Sequence, residues 1–180
     1  MFAQLDTKSV YSFMDSVVDL NSYVKRAKEL GYQSIGLMDR DNLYAAYHFA
    51  QLAIRNGLRP LIGIEANLFY DGRKIPFRLL AKNNQGYKNL MKLATELSSG
   101  QREFTPFSDY LNDIALIIPS EDWEPGMTLG SEVFIGVRPE DAGKEFDYPV
   151  IPLHTVRYFE NADRSTIQTL HAISQKCVLV

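Results

Sequence analysis

Apolar positions along the chain alternate between short runs and longer amphipathic stretches. Short apolar runs are typical of buried strands, and the amphipathic stretches have the spacing of helices that bury one face. In the first seventy residues the pattern predicts a β-α-β-α-β order. The predicted strands are 1–6, 34–38 and 60–69, and the predicted helices begin near Asn21 or Ser22 and near Leu43. Strands that exchange with helices in this way form a mostly parallel sheet or a barrel.

The next segment breaks the parallel order. Tyr70-Asp71-Gly72-Arg73 has the composition of a tight hairpin turn, so the flanking strands 61–69 and 75–81 are expected to pair antiparallel. The predicted sheet is therefore mixed, and a helix over 85–97 follows it. Beyond Gly100 the pattern is weaker; the remaining predictions are strands over 114–118, 133–137 and 150–153 and a last helix over 162–174.

Length and composition predict one globular domain over residues 1–180. The chain has 180 residues, 46% of them hydrophobic and 23% charged, which excludes collagenous and disordered classes. A net charge of −3 provides no basic surface for DNA, so direct DNA binding is disfavoured. A single cysteine, no secretory signal and no apolar stretch near the roughly 20 residues of a membrane span predict a cytoplasmic protein without membrane contact. The apolar end, 177–180, indicates a piece of a longer chain.

Candidate chemistry is expected just beyond the carboxyl ends of the strands. Asp6 and Asp39 follow the first two strands and Glu65 lies in the third, so three carboxylates could converge on Mg²⁺ or Mn²⁺. The alternative is that Asp6 and Asp39 only cap turns or helices. Glu65 interrupts an apolar run, so a cation or hydrogen-bond donors should face it. His154 ends a late strand, but a lone histidine is weak evidence for a metal.

Several blocks of sequence resemble one family in order and approximate spacing. These blocks are 2–15, 27–32, 36–44, 60–65, 80–90 and 150–158. Over essentially its whole length the chain resembles the amino-terminal PHP (polymerase and histidinol phosphatase) domain of bacterial DNA polymerase III alpha subunits of the low-GC Gram-positive type. The resemblance implies an α/β fold, a distorted (β/α)7-like barrel with a mixed sheet, shortened between Ile118 and Val150. Active members of this family hold a metal cluster at the carboxyl face and hydrolyse phosphoesters.

At those metal positions the chain departs from the family pattern. Asp6 and Lys8 stand in place of a His-x-His pair, and Lys8, Arg40 and Arg157 put permanent cations at three ligand positions. The implied pocket is vestigial; its members are Asp6, Lys8, Asp39, Arg40, Glu65, His154 and Arg157. We hypothesise a salt-bridge network in which the three cations offset Asp6, Asp39 and Glu65.

The resemblance implies a domain of a replicative polymerase whose DNA synthesis, with Mg²⁺, belongs to palm and finger domains outside this chain. The domain itself is expected to be catalytically inactive, to need no cofactor and to brace the polymerase core. Its expected partners are the rest of the alpha chain and replisome subunits, with DNA reached only through the parent protein. One alternative is a reduced 3′–5′ exonuclease or phosphoesterase with Mn²⁺, Mg²⁺ or Zn²⁺ on Asp6, Asp39, Glu65 and His154. Another is an interaction module unrelated to replication.

Overall fold

The computed structural model describes residues 3–130, 132–141 and 143–177. Residues 1–2 of the first predicted strand and residues 178–180 of the apolar end lie outside the described residues. The strands are β1 (Asp6–Thr7), β2 (Ser34–Arg40), β3 (Arg59–Tyr70), β4 (Arg73–Ala81), β5 (Ile114–Pro119), β6 (Val133–Val137), β7 (Val150–Pro152) and β8 (Thr155–Val156). The helices are α1 (Leu20–Glu29), α2 (Ala46–Arg55), α3 (Asn84–Ser98), α4 (Phe104–Phe107) and α5 (Asp163–Gln175). No helix in the described ranges is long and apolar enough to cross a membrane.

Six strands form one mixed sheet in the order β2-β3-β4-β5-β6-β7. The β3–β4 and β4–β5 pairs are antiparallel, and the other three are parallel. Strand β8 follows β7 closely and pairs parallel with β1, while Gln4, just before β1, pairs with Ile35 of β2. The first strand segment thus links the two ends of the sheet. This topology confirms the predicted mixed α/β fold with a curled, barrel-like sheet.

The predicted hairpin turn forms as the sequence indicated. Asp71 and Gly72 both have positive φ, 48° and 75°, which is the backbone of the two-residue turns that match strand twist. The turn sets the register of β3 on β4, so that Tyr70 lies opposite Arg73 and Glu65 lies opposite Arg78. This register therefore places the Glu65 carboxylate next to the Arg78 guanidinium.

Helices pack on the outside of the curled sheet as two separate layers. One layer joins α1 and α2 to β2 through Val24, Phe49 and Ile35; the other joins α3 to β3, β4 and β5 through residues such as Leu90. Inside the curl, Met38, Ile117 and Leu153 form a third, smaller cluster. Helix α1 begins at Leu20 because the Asp19 carboxylate accepts hydrogen bonds from the backbone N–H groups of residues 21 and 22.

Several local predictions need correction. Within the described residues the first strand is Asp6–Thr7 with an isolated bridge at Gln4, not 1–6, and α2 begins at Ala46 rather than near Leu43. Strand β2 does not end at Met38 but continues through Asp39 and Arg40, since these residues stay paired with Ile64 and Glu65 of β3. The sequence pattern also missed α4 and β8, each of at most four residues, because elements that short show no period.

Candidate functional site

A cluster of charged side chains lies at the carboxyl ends of β1 and β2 and beside Glu65 in the middle of β3, where the sequence predicted the site. Lys8 is at its centre and is completely buried. Its Nζ lies 2.7 Å from Oδ1 of Asp6 and 2.9 Å from Oε2 of Glu65, and it donates to the carbonyl of Met38 at 2.7 Å. An ammonium has three N–H donors, and here each of them has a partner.

Arg78 of β4 completes the ring of charges, and sequence reasoning missed it. Its Nε lies 3.1 Å from Oδ2 of Asp6, and its Nη2 lies 3.2 Å from Oε2 of Glu65. The sequence nevertheless contained the information needed to find Arg78. The predicted turn at 70–73 already implies that Glu65 and Arg78 are cross-strand partners, and a buried carboxylate requires a cation.

Asp39 forms no ion pair with any cation in the described ranges. Its Oδ1 accepts hydrogen bonds from the Ser9 N–H and the Ser12 hydroxyl, and its Oδ2 accepts one from the Ser9 hydroxyl, all at 2.7 Å. The Ser12 oxygen in turn accepts from the backbone N–H of Arg40 at 3.0 Å. Asp39 therefore ties the segment after β1 to the end of β2, a different arrangement from the hypothesised ion pair.

A second carboxylate centre, Asp15, was not predicted at all. It is almost fully buried, and its two oxygens lie 2.7 Å from Arg40 Nη2, 2.9 Å from Arg157 Nε and 2.9 Å from His171 Nε2. Arg40 also reaches Glu65 Oε1 with its Nε at 3.1 Å, so it joins the two centres. Arg157 thus lies in the network, but its partner is Asp15. No signal in the sequence pointed to Asp15, which lies in a loop without periodicity.

His154 lies apart from these side chains. Its imidazole is exposed, and its contribution to this region is a backbone carbonyl that accepts a hydrogen bond from Gln4 Nε2 at 2.6 Å. The structure therefore brings together Asp6, Lys8, Asp39, Arg40, Glu65 and Arg157 and adds Asp15, Arg78 and His171. Within the described ranges, no three His, Cys, Asp or Glu side chains are grouped as a metal site would require.

The cluster contains as many permanent cations as carboxylates. Its carboxylates are Asp6, Asp15, Asp39 and Glu65, and its permanent cations are Lys8, Arg40, Arg78 and Arg157. Burial alone would raise the pKa of Asp6, but Lys8 and Arg78 outweigh that effect and lower it. Burial opposes ionisation of Glu65 too, yet Lys8 and Arg78 bring its pKa down to about 2. Both carboxylates are therefore ionised at neutral pH.

The depressed pKa of Glu65 predicts an acid-sensitive fold. A carboxylate whose pKa falls from 4.5 to about 2 on folding contributes stability above pH 4.5, and this contribution disappears as the pH drops toward 2. We expect the chain to lose about 3 kcal/mol of unfolding free energy over this interval through Glu65. Urea unfolding at a series of pH values measures it.

Glu65→Gln should be less stable near neutral pH and show a visibly shallower decline between these limits. Glu29→Gln is the matched control, because the Glu29 side chain is half exposed on α1 and should keep the parent's pH dependence. Equal declines in the parent chain and Glu65→Gln would contradict the assignment.

The fold and the charged cluster describe an α/β protein with a curled, barrel-like sheet and its candidate site at the strand ends. Residues 4–124 match the sequence profile of the PHP domain, and the chain belongs to the PHP domain family. Within that family it is similar to DNA polymerase III subunit alpha of Streptococcus pyogenes serotype M1, with 47% identity over 175 residues. This match covers 96% of the chain and 17% of the relative, so the chain spans less than a fifth of that protein's length.

Other relatives agree with this match. DNA polymerase III subunit alpha of Bacillus subtilis is 37% identical over 101 residues, covering 54% of this chain and 9% of that protein. The crystal structure of a candidate metal-dependent phosphoesterase from Bifidobacterium adolescentis superposes with a TM-score of 0.51 at 10% identity, covering 97% of this chain and 84% of that one. The structural likeness shows the fold alone. The sequence matches confirm the predicted resemblance to the PHP domain of polymerase III alpha subunits.

Proposed function

We propose that this chain serves as the amino-terminal PHP domain of a replicative DNA polymerase III alpha subunit, as a structural domain that needs no metal. In this proposal the parent protein synthesises DNA in the cytoplasm, using Mg²⁺ held by its palm. The PHP domain braces the polymerase core, with the rest of the alpha chain and other replisome subunits as its partners. Contact with DNA is made through the parent and not through this domain.

The observation that carries the proposal is the position of Lys8 and Arg78 between Asp6 and Glu65. Their nitrogen atoms lie within 3.2 Å of the carboxylate oxygens that a divalent cation would need. A protonated lysine or arginine has no lone pair for a metal, and its charge repels one. The donor set therefore does not suit Mg²⁺, Mn²⁺ or Zn²⁺, and we derive no metal-dependent step.

Asp39 supports the same proposal by a different route. Its oxygens already accept hydrogen bonds from Ser9 and Ser12, so binding a metal would require at least one of them to break. In this proposal the ion pairs do what a metal cluster does for a barrel: they hold several strand ends together through opposite charges. A buried pair adds little net stability against an apolar replacement, but removing one partner is costly.

Metal analysis together with calorimetric titration of Mn²⁺ and Zn²⁺ tests the proposal. We expect the purified chain to carry substoichiometric metal, to give no saturable binding heat and to leave a labelled single-stranded DNA intact. The reason is that no carboxylate of the cluster is free of donors. The same sample should be used for all three measurements.

A working phosphoesterase site would give the opposite pattern. Stoichiometric metal, with cleavage that disappears in Asp39→Asn and Glu65→Gln, would contradict the proposal of a metal-free structural domain. It would favour an exonuclease that keeps fewer metal ligands than the active members of the family. Asp109→Asn is the control for a carboxylate outside the cluster, because Asp109 is exposed and distant in the fold. Cleavage that survives all three substitutions would indicate a contaminating nuclease.

A further inference from the structure

A groove on the outer face of the sheet lies far from the ion-pair cluster, and nothing described above uses it. Its origin is topological. In a parallel barrel each pair of strands is joined by a helix that covers the sheet, but β3 and β4 are joined by a two-residue turn. Here α2 packs on β3, and α3 packs on β3 and β4. The groove lies between these two helices.

The groove encloses about 300 Å³, the lower end of the range found for binding pockets. The apolar residues that line it include Ala46, Ala50, Leu61 and Ile62. Tyr47 on α2 and Tyr87 on α3 border it, and the Tyr47 side chain is 71% exposed. An exposed tyrosine beside apolar side chains is typical of surfaces that bind another protein.

The charged residues that line the groove are both basic. Arg59 and Lys82 line it together with the amides of Asn83 and Asn84, and no Asp or Glu is among its lining residues. Lys82 pairs at 2.7 Å with Glu132, whereas the exposed Arg59 guanidinium lies beyond ion-pair distance of every carboxylate that the structure describes. On a chain with a net charge of −3, Arg59 gives this site a positive charge that these ion pairs leave uncompensated.

From this complementarity we propose that the groove binds a short acidic peptide segment of a partner protein, which inserts an apolar or aromatic side chain between Tyr47 and Tyr87. The acidic residues of the segment face Arg59 and Lys82, and the Asn84 amide hydrogen-bonds its backbone. Charge complementarity of this kind steers association and excludes basic segments. The buried aromatic anchor supplies most of the affinity.

This inference goes beyond the proposed function and does not depend on it. The groove lies at the amino end of β3 and the carboxyl end of the antiparallel β4, away from the cluster formed by Asp6, Lys8 and Glu65. Metal binding at the cluster would leave it intact. The two proposals can therefore fail separately.

The test is titration of the isotopically labelled chain with three hexapeptides, monitored by amide NMR shifts and fluorescence anisotropy. The probe is Glu-Asp-Leu-Phe-Asp-Glu; the comparisons are Lys-Arg-Leu-Phe-Lys-Arg and Glu-Asp-Ser-Ser-Asp-Glu. We expect saturable binding of the first only, with the largest shifts in residues 46–50, 59–62 and 81–87. Arg59→Glu should weaken this binding by about tenfold or more, since it replaces an attraction by a repulsion.

Arg26→Glu is the matched control, because it makes the same change in net charge at an exposed position of α1 outside the groove. It should leave the affinity within about twofold of the parent, as screening weakens distant surface charges. Equal binding of the basic or the serine peptide, no saturable shifts, or shifts centred elsewhere would overturn the proposal. If inorganic phosphate alone reproduces the shifts, the groove is an anion site and the peptide assignment is wrong.

Discussion

Lys8→Ala should lower the free energy of unfolding by about 3 to 5 kcal/mol, the range measured when one partner of a buried ion pair is removed. Lys8 is fully buried and contacts Asp6 and Glu65 below 3 Å. Its loss leaves Asp6 with Arg78 and the Thr155 hydroxyl, and Glu65 with Arg40 and Arg78. The carbonyl of Met38 loses its donor as well. Urea unfolding followed by circular dichroism near neutral pH measures the effect.

The double variant Lys8→Ala/Asp6→Asn separates electrostatics from packing. Removing the Asp6 charge restores the balance of the cluster, so the double variant should be more stable than the sum of the two single effects predicts. Lys25→Ala is the control for loss of a lysine on the surface, and its effect should stay within about 0.5 kcal/mol. A cost below about 1 kcal/mol for Lys8→Ala would show that the buried charges are compensated without the lysine.

Gly36→Ala should destabilise the chain by about 3 kcal/mol, at the upper end of what overpacking costs. A Cβ at this position would lie 2.2 Å from the carbonyl oxygen of Leu5, which is backbone and cannot rotate away. The first strand segment must then move off β2, and the 2.7 Å hydrogen bond from Gly36 N–H to the Gln4 carbonyl is lost. Chemical denaturation of the purified variant measures the cost.

Gly57→Ala is the comparison for this experiment. Position 57 requires glycine for a different reason, its positive φ of 77°, and nothing lies within 4 Å of a Cβ built there. We expect about 1 kcal/mol there, from backbone strain alone. An equal or larger loss in Gly57→Ala would mean that the first segment is not held tightly on β2, and the position of Lys8 would lose its structural basis.

The predictions for Lys8 and Gly36 concern the same feature, the packing of the first strand segment against β2. Close approach of the first strand segment to β2 at Gly36 places Asp6 and Lys8 beside Asp39 and Glu65, and the ion pairs then hold that segment from the other side. Sequence reasoning identified most of this site from strand ends and from the resemblance. It found Lys8, Arg40 and Arg157 as cations and Glu65 as a carboxylate in need of one, and it did not find which of them pair.

The chain's own pattern determined the order of strands and helices and the hairpin at 70–73, because hydrophobic period and turn chemistry are local properties. Through that hairpin it also determined that Glu65 faces Arg78, although the consequence was missed. Only the tertiary structure decided that Asp15 meets Arg157 and His171, which lie 142 and 156 residues away along the chain. The tertiary structure also gives Asp39 two serines as hydrogen-bond donors, and it leaves the His154 imidazole exposed outside the charged cluster. Such contacts carry no local signal, since they depend on how the loop after β1 and helix α5 pack around the end of the barrel.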